Sequence, residues 1–248
     1  MKIRYAVAVT LASALFISVC EKTEAANAMP VYLLLGQSNM VGMRSVAADL
    51  PSNMQKPNKN ALIYKDGKWI PVSPSSFEIK GFGPEVSFAH ELAKKGKVGI
   101  IKVSAGDTKL ALEWNSAPKG YLYEKTISEI KSAEKTKNIA IKGVMWMQGE
   151  SDGITKEHAE AYKHNLEVFI KNIKKETGNN NLTFSVCRVT SPAPYFKYTP
   201  IVRKAQESIK MKGYKWFSCD DLTKGPDNLH YDTKGIVKLG ELFSNSIK

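Results

Sequence analysis

The chain is poor in the residues on which several functions depend. It has four histidines and three cysteines in 248 residues, and they are not spaced as clustered metal ligands are. A metal-dependent enzyme is therefore disfavoured, and no cofactor is expected. The lysines form no stripe with interleaved aromatic residues, so the net charge of +12 does not predict nucleic-acid binding. A solvated basic surface, attractive to acidic polysaccharides, is the simpler interpretation.

Long apolar runs are also missing, apart from one near the N-terminus. Residues 5–19 carry no charge and follow Lys2 and Arg4, but a membrane span needs about 20 apolar residues. Ala26-Asn27-Ala28 then supplies the pattern of a signal-peptidase site. The sequence therefore predicts a signal peptide over residues 1–28, a mature chain from Met29 without an integral membrane span, and a secreted or periplasmic location.

The cysteines leave two questions open. Cys20 follows the apolar run and is a candidate for lipidation, but Ile17-Ser18-Val19 before it is a poor lipoprotein signal, so soluble export is favoured. Cys187 and Cys219 remain in the mature chain. An oxidising compartment would permit a disulfide between them, and two buried thiols are the equal alternative.

Short apolar runs alternate with helical patterns along residues 29–248, which we treat as one domain. Strands are predicted at residues 31–35, 98–103, 139–147, 182–189 and 215–218. Helices are predicted at residues 84–93, 121–137, 155–176, 199–211 and 232–247. The alternation predicts a three-layer α/β/α fold with a central parallel sheet of about five strands.

One long connection, residues 44–83, interrupts the alternation. Within it, residues 61–64 and 69–72 flank Asp66-Gly67, a turn signal that predicts a small hairpin. Connections of this length in compact domains are usually functional or mobile.

Polar residues follow three of the predicted strands, where ligands bind in parallel α/β sheets. Ser38 lies at a turn into a helix, where free N–H groups favour a developing negative charge; an N-cap serine is the alternative. Gly106 would let its N–H approach a substrate oxygen, or is only a turn glycine. Gln148 offers an oxyanion donor, or closes the strand end, and Glu150 and Asp152 are supports or helix caps.

A candidate base lies near the C-terminus. His230 follows Asp227 by three residues, so the carboxylate can reach Nδ1 while Nε2 faces a serine. The other histidines fall within predicted helices, where surface or packing roles are expected: His90, His158 and His164. The alternative carboxylates are Asp220 and Asp221.

Four segments together resemble a known family: Gly36-Gln37-Ser38-Asn39-Met40, Gly81-Phe82-Gly83-Pro84-Glu85, Trp146-Met147-Gln148-Gly149-Glu150-Ser151-Asp152 and Asp227-Asn228-Leu229-His230. They resemble the sialate O-acetylesterase and acetylxylan esterase group of SGNH hydrolases, also called carbohydrate esterase family six. The resemblance covers nearly the whole mature chain. It implies a flavodoxin-like SGNH hydrolase fold and metal-free hydrolysis of acetyl esters on sugars through an acetyl-enzyme.

The resemblance also implies residue roles. Ser38 is the expected nucleophile, His230 the general base and Asp227 its orienting acid. The expected oxyanion hole consists of the Ser38 and Gly106 amides with the Gln148 side chain. Supporting or substrate-binding roles are expected for Gln37, Asn39, Glu150 and Trp114. For Trp114 the expectation comes from its place after the Gly106 loop and not from the resemblance: its ring would form a wall for the sugar, and a core tryptophan is the equal alternative.

Some positions depart from the wider superfamily. Gln37 precedes Ser38 where Gly-Asp is usual, and Gln148-Gly149-Glu150 replaces a Gly-x-Asn-Asp pattern, although both departures are shared by this branch. Asp107 follows Gly106 at a position where members of this branch often have another glycine or a small residue. The rival interpretations are a lipid or thioester hydrolase with the same triad, for which no apolar lid is visible, and an inactive carbohydrate-binding protein. The expected partner is an acetylated carbohydrate.

Overall fold

The structure is a computed structural model, and it describes residues 27–77 and 81–247. The predicted signal peptide and the lipidation candidate Cys20 lie outside these residues. Within the two described ranges, no helix has the length and apolarity that a bilayer span requires.

The strands in this part of the chain are β1 Met29–Gly36, β2 Asn58–Lys65, β3 Lys68–Val72, β4 Val98–Ser104, β5 Ile139–Met147, β6 Thr183–Arg188 and β7 Tyr214–Ser218. They form one sheet in the order β3-β2-β4-β1-β5-β6-β7. Only the β2–β3 pair is antiparallel. The five predicted parallel strands are confirmed.

The predicted hairpin also exists, but it belongs to the main sheet. Asp66 and Gly67 have φ of 50° and 78°, as a two-residue turn with both φ values positive requires. β2 then pairs in parallel with β4. The expectation of about five strands is corrected to seven, because the hairpin adds two strands at one edge.

The helices of the described residues are α1 Ser38–Val41, α2 Glu85–Ala93, α3 Tyr121–Thr136, α4 Lys156–Glu176, α5 Thr199–Ser208 and α6 Thr233–Ser246. Each helix predicted from the sequence is confirmed within a few residues. The three histidines assigned to helices lie in α2 and α4.

Helices cover both faces of the sheet. Successive side chains of a strand point to opposite faces. On β6, Phe184 packs edge-on against Phe169 of α4, whereas the adjacent Ser185 donates a hydrogen bond to Ser246 of α6. The three-layer α/β/α prediction is therefore confirmed.

The register of the sheet decides where a ligand can bind. Gly36, the last residue of β1, is paired with Ser104 of β4 on one side and with Met147 of β5 on the other. The chain winds outward in both directions from β1, so the loops that follow these three strands diverge there. Such a switch point leaves a crevice at the carboxyl edge of the sheet.

Candidate active site

The turn after β1 presents Ser38 at this crevice. Gly36 approaches β5 so closely that an added Cβ would collide with the Met147 carbonyl oxygen, and only glycine fits. The Gln37 amide donates to the same oxygen at 2.9 Å, and Ser38 begins α1. The N-cap alternative for Ser38 is wrong, because Gln37 occupies that position.

The Ser38 side chain has no structural partner. Ser38 is only 5% exposed, yet its hydroxyl makes no hydrogen bond within residues 27–77 and 81–247. The oxygen is not among the fully buried unpaired atoms of the described residues, so it is open to solvent. An accessible hydroxyl that no protein group binds is available for a chemical role.

Asn39 ties the Ser38 turn to the loops on either side. Its Nδ2 donates to Glu150 Oε1 at 3.0 Å and to the Leu229 carbonyl at 3.3 Å. Its Oδ1 accepts from the Tyr231 amide at 2.9 Å. The contacts with Leu229 and Tyr231 lie on the two sides of His230 in the chain. The residue after the predicted nucleophile thus fixes the backbone around the predicted base.

Gln37 makes the corresponding connection to the loop after β5. Its Oε1 accepts from the Gly149 amide and its Nε2 donates to Ser151 Oγ, each at 3.2 Å. Ser151 Oγ in turn donates to Asp107 Oδ1 at 3.1 Å. Gln37 and Asn39 are 3% and 2% exposed. Both therefore hold the loops of the site together from its interior and are not accessible to a substrate.

His230 and Asp227 are in direct contact. The imidazole Nδ1 lies 3.0 Å from Asp227 Oδ2, and Asp227 Oδ1 accepts from the amides of Leu229 and His230 at 3.0 and 2.9 Å. Burial raises the pKa of Asp227, but these hydrogen bonds, with one from Arg44, outweigh it and hold the pKa well below its usual range. A charged carboxylate on Nδ1 keeps the proton there and leaves Nε2 as a base.

The structure brings Ser38 and His230 to adjoining turns without a hydrogen bond between them. In free enzymes such catalytic hydrogen bonds are often long, and they tighten when substrate binds. Asn39 connects the two turns, and proton transfer from the serine to the imidazole would require their side chains to come together in a substrate complex.

Gly106 lies beside Ser38, as the sequence predicted. A Cβ added at position 106 would lie 3.9 Å from the Ser38 Cβ. Neither the Ser38 amide nor the Gly106 amide donates a hydrogen bond to any group in the described ranges. Two unused backbone donors next to a serine hydroxyl suit an oxyanion hole.

The prediction for Gln148 is corrected. Gln148 is fully buried, and its amide nitrogen donates to the Thr108 carbonyl at 2.9 Å and to Asp152 Oδ2 at 2.6 Å. Both of its N–H bonds are therefore used, and none remains for a substrate oxyanion. Asp152 also accepts from the Leu110 amide at 2.8 Å. Gln148 and Asp152 together fix the loop that carries Gly106.

Glu150 is, with Asp152, a second buried carboxyl group in the loop after β5. It is 1% exposed, its Oε1 accepts from Asn39, and its Oε2 has no partner among the residues that the structure describes. Burial raises its pKa, against the hydrogen bond from Asn39 and the proximity of His230. Glu150 therefore supports the site and is not exposed to substrate.

The new role of Gln148 predicts a pH-dependent loss of stability in Gln148→Ala. Burial raises the pKa of Asp152 from 3.8 to about 6, and the hydrogen bond from Gln148 opposes this rise. A carboxyl group with a raised pKa binds its proton more tightly in the folded state, so stability falls as pH rises from about 4 to about 6. Without Gln148 this window extends upward. In urea titrations we expect the free energy of unfolding to fall by about 1–3 kcal/mol at pH 8 and by less at pH 5.

The opposite pattern would contradict this assignment. Turnover reduced by about a hundredfold or more at unchanged stability is the signature of a lost oxyanion donor, and it would return Gln148 to the oxyanion hole.

Trp114 is a core residue, and its prediction as a sugar-binding wall is wrong. It is fully buried, its ring packs edge-on against Trp146 with centroids 5.2 Å apart, and it also contacts Phe169. Its indole N–H donates to Thr108 Oγ1 at 3.0 Å. Large aromatic side chains bury more surface than any others, so the core alternative prevails.

Two cationic residues of the site escaped the sequence analysis, Arg44 and Lys102. Lys102 on β4 forms a buried ion pair with Glu85 at 2.6 Å and reaches the carbonyl of Val41, the last residue of α1, at 3.4 Å. Burial lowers its pKa, against the attraction of Glu85. The available signal was a lysine in an otherwise apolar strand. Glu85 is the last residue of the Gly81–Glu85 motif. This motif is therefore connected through Lys102 to the C-terminal end of α1.

The remaining cysteine and carboxylate alternatives are also decided. Cys187 and Cys219 form a disulfide with Cα atoms 5.8 Å apart. The neighbouring Asp220 binds Arg203 at 2.7 Å and also Arg188. Asp220 is thus engaged elsewhere, and Asp227 is the carboxylate in contact with His230.

The model of the family described as carbohydrate esterase, sialic acid-specific acetylesterase matches residues 28–248. The chain belongs to this family. It is therefore an ester hydrolase of the carbohydrate esterase type, as the resemblance implied. A probable carbohydrate esterase from Arabidopsis thaliana is 27% identical over 232 residues, 85% of this chain and 86% of that protein.

Solved structures share the fold of this esterase. The X-ray structure of an Arabidopsis thaliana protein matches 89% of this chain and 98% of its own, with a TM-score of 0.78 and 24% identity. A carbohydrate acetylesterase from Xanthomonas citri matches 87% of this chain and 55% of its own, with a TM-score of 0.62 and 18% identity. At these identities the likeness concerns the fold.

Proposed function

We propose that this esterase removes O-acetyl groups from carbohydrates by a serine mechanism. Ser38 is the nucleophile, His230 the general base and Asp227 the acid that orients the imidazole. The observation that carries the proposal is the set of contacts made by Asn39, which joins the Ser38 turn to the backbone on both sides of His230.

The proposed reaction has two halves. His230 Nε2 takes the Ser38 proton as the Ser38 oxygen bonds to the acetyl carbon. The resulting tetrahedral intermediate breaks its bond to the sugar oxygen, which receives the proton from His230 and leaves as the alcohol. Water then attacks the acetyl-enzyme with His230 as base, and acetate departs from a regenerated Ser38 hydroxyl.

The negative charge of both tetrahedral intermediates needs donors that are already in place. The Ser38 and Gly106 amides are the proposed donors, because neither is used elsewhere in the described part of the chain. Fixed donors in a water-poor site cost no reorganisation during the reaction. The buried Gln148–Asp152 network keeps the Gly106 loop in position.

The proposed substrate is an O-acetylated sugar of the sialic acid or xylan type. The family description names sialic acid-specific acetylesterases, and one structural neighbour is named as a carbohydrate acetylesterase. An acetyl group is small, so its site needs no long apolar channel.

Acetate release and covalent labelling test the proposal together. We expect the purified protein to release acetate from para-nitrophenyl acetate and from at least one of O-acetylated sialic acid and acetylated xylan. An aryl phosphonate should abolish this activity and leave a single adduct, located on Ser38 by mass spectrometry of peptides, because the activated serine attacks phosphorus as it attacks an acyl carbon.

Two other results would reject the proposal in distinguishable ways. A strong preference for long-chain acyl esters would indicate a lipid or thioester hydrolase. No acetate from any substrate, with no adduct, would indicate a carbohydrate-binding protein that has lost activity. An adduct on a different serine would remove Ser38 from the mechanism.

We also propose a secreted or periplasmic location. The basic start and apolar run of residues 1–28 support it, and so does the Cys187–Cys219 disulfide, since such bonds persist in oxidising compartments. N-terminal sequencing of the exported protein should give Met29 as the first residue.

A further inference from the structure

Arg44 occupies the rim of the candidate site with most of its hydrogen-bonding capacity unused. Its side chain is 54% exposed, and its Nε donates to Asp227 Oδ2 at 3.0 Å. Its two terminal nitrogens have no acceptor among residues 27–77 and 81–247. A guanidinium offers five N–H donors in a planar fork, so four of them face solvent or substrate.

The guanidinium is oriented by one hydrogen bond, from its Nε to Asp227 Oδ2. Gly225 lies near the stem of the side chain: a Cβ added at that glycine would come within 3.6 Å of Arg44 Cγ. A cation that is already oriented loses less side-chain entropy when it binds a ligand. The bond to Asp227 therefore partly preorganises Arg44 as a donor.

The ion pair with Asp227 does not fully neutralise the positive charge of Arg44. Asp227 accepts three further hydrogen bonds, from His230 Nδ1 and from the amides of Leu229 and His230, so its negative charge is shared among several donors. The chain as a whole carries +12, which attracts anionic substrates over a longer range.

Resting on the proposed function, we infer that Arg44 is a specificity-determining residue that binds the carboxylate of an acidic O-acetylated sugar. Arginine matches a planar carboxylate with two parallel N–H···O bonds. Arg44 is one hydrogen bond from Asp227, which is one hydrogen bond from the proposed base. We therefore expect a carboxylate bound there to lie on the sugar residue that carries the ester or on an adjacent one. Sialic and uronic acids both have this chemistry, whereas neutral acetylated xylose lacks it.

The test compares pairs of substrates that differ only in charge. The pairs are O-acetylated sialic acid and its carboxamide, and an O-acetylated glucuronic acid methyl glycoside and its carboxamide, with acetate release as the readout. For the acid that fits the site, the wild-type kcat/KM should exceed that of the amide by about 10- to 100-fold, the usual contribution of hydrogen bonds to a charged group. Whichever pair shows the preference identifies the source of the carboxylate.

Three variants separate specificity from support of Asp227. In Arg44→Gln the ratio of the two kcat/KM values should fall to about one, and in Arg44→Lys it should be intermediate, because the charge remains without the fork. Lys94→Gln is the matched control. Lys94 is 58% exposed and forms an ion pair with Glu91. It lies between the end of α2 and the start of β4, at the amino-terminal end of the strands and away from the crevice. Its loss should leave the ratio unchanged.

Two outcomes would overturn the inference alone. One is a wild-type enzyme that hydrolyses acid and amide equally. The other is an Arg44→Gln variant slowed equally on both, which would show that Arg44 acts only through Asp227. If the wild-type protein releases no acetate even from para-nitrophenyl acetate, the proposed function fails, and the inference fails with it.

Discussion

Ser38→Ala is expected to lower kcat for acetate release by about 10⁴- to 10⁶-fold, the range found when a nucleophile that works as part of a triad is removed. In the proposed mechanism this hydroxyl forms the bond to the acetyl carbon, and no other described side chain at the turn is placed to replace it. Binding and the backbone oxyanion donors would remain, so a small residual rate above that of water is expected.

The same variant should fold normally, which makes the kinetic result interpretable. The Ser38 hydroxyl has no hydrogen-bond partner in the described residues, so its removal leaves no buried group unsatisfied. Its thermal unfolding midpoint should match that of the wild type. Ser208→Ala is the control. Ser208 is the last residue of α5, which precedes β7, so it lies at the amino-terminal end of the strands and away from the crevice. Its hydroxyl donates only to the Ala205 carbonyl. If Ser38→Ala retained more than about a tenth of the wild-type rate, covalent catalysis by Ser38 would be ruled out.

Asp227→Asn should cost about 10⁴-fold in kcat. The two carboxylate oxygens of Asp227 accept only N–H groups: Oδ1 from two backbone amides, and Oδ2 from His230 and Arg44. An asparagine that keeps the backbone contacts turns its NH₂ group toward His230 Nδ1. The imidazole must then accept at Nδ1 and carry its proton on Nε2, where it cannot take the Ser38 proton.

The control for this prediction is Asp220→Asn. Asp220 also lies near arginines, and those ion pairs lower its pKa to about 2, mainly through Arg203. It has no contact with His230, so acetate release should stay near the wild-type rate. A large loss in Asp220→Asn and normal turnover in Asp227→Asn would reverse the two assignments.

The sheet was predictable because its strands have strong local patterns. The run of residues 98–103, apolar except for Lys102, is typical of a strand that is buried on both faces, and the structure confirms it. The hairpin was recognised from Asp66-Gly67, but its place in the sheet was not. Pairing between β2 and β4 joins segments that are more than 30 residues apart, and no local pattern encodes that contact.

The site was predicted in part for the same reason. Asp227 and His230 are three residues apart on one turn, so their contact is local and the sequence was sufficient. Gln148 was misassigned, because its partners Thr108 and Asp152 come from two different loops. A glutamine at a strand end suits an oxyanion donor or a buried support equally well until those loops are packed together.

The sequence by itself determined the order of strands and helices, the positions of Ser38 and His230 after the strands, and the family. These features depend on neighbouring residues and on motif spacing, which are fixed before the chain folds. Only the tertiary structure decided which polar groups are used and which remain free. It buries Trp114 and occupies Gln148, and it leaves the Ser38 and Gly106 amides and the outer edge of Arg44 available. Burial and hydrogen bonding between distant loops are properties of packing, so the one-dimensional pattern cannot show them.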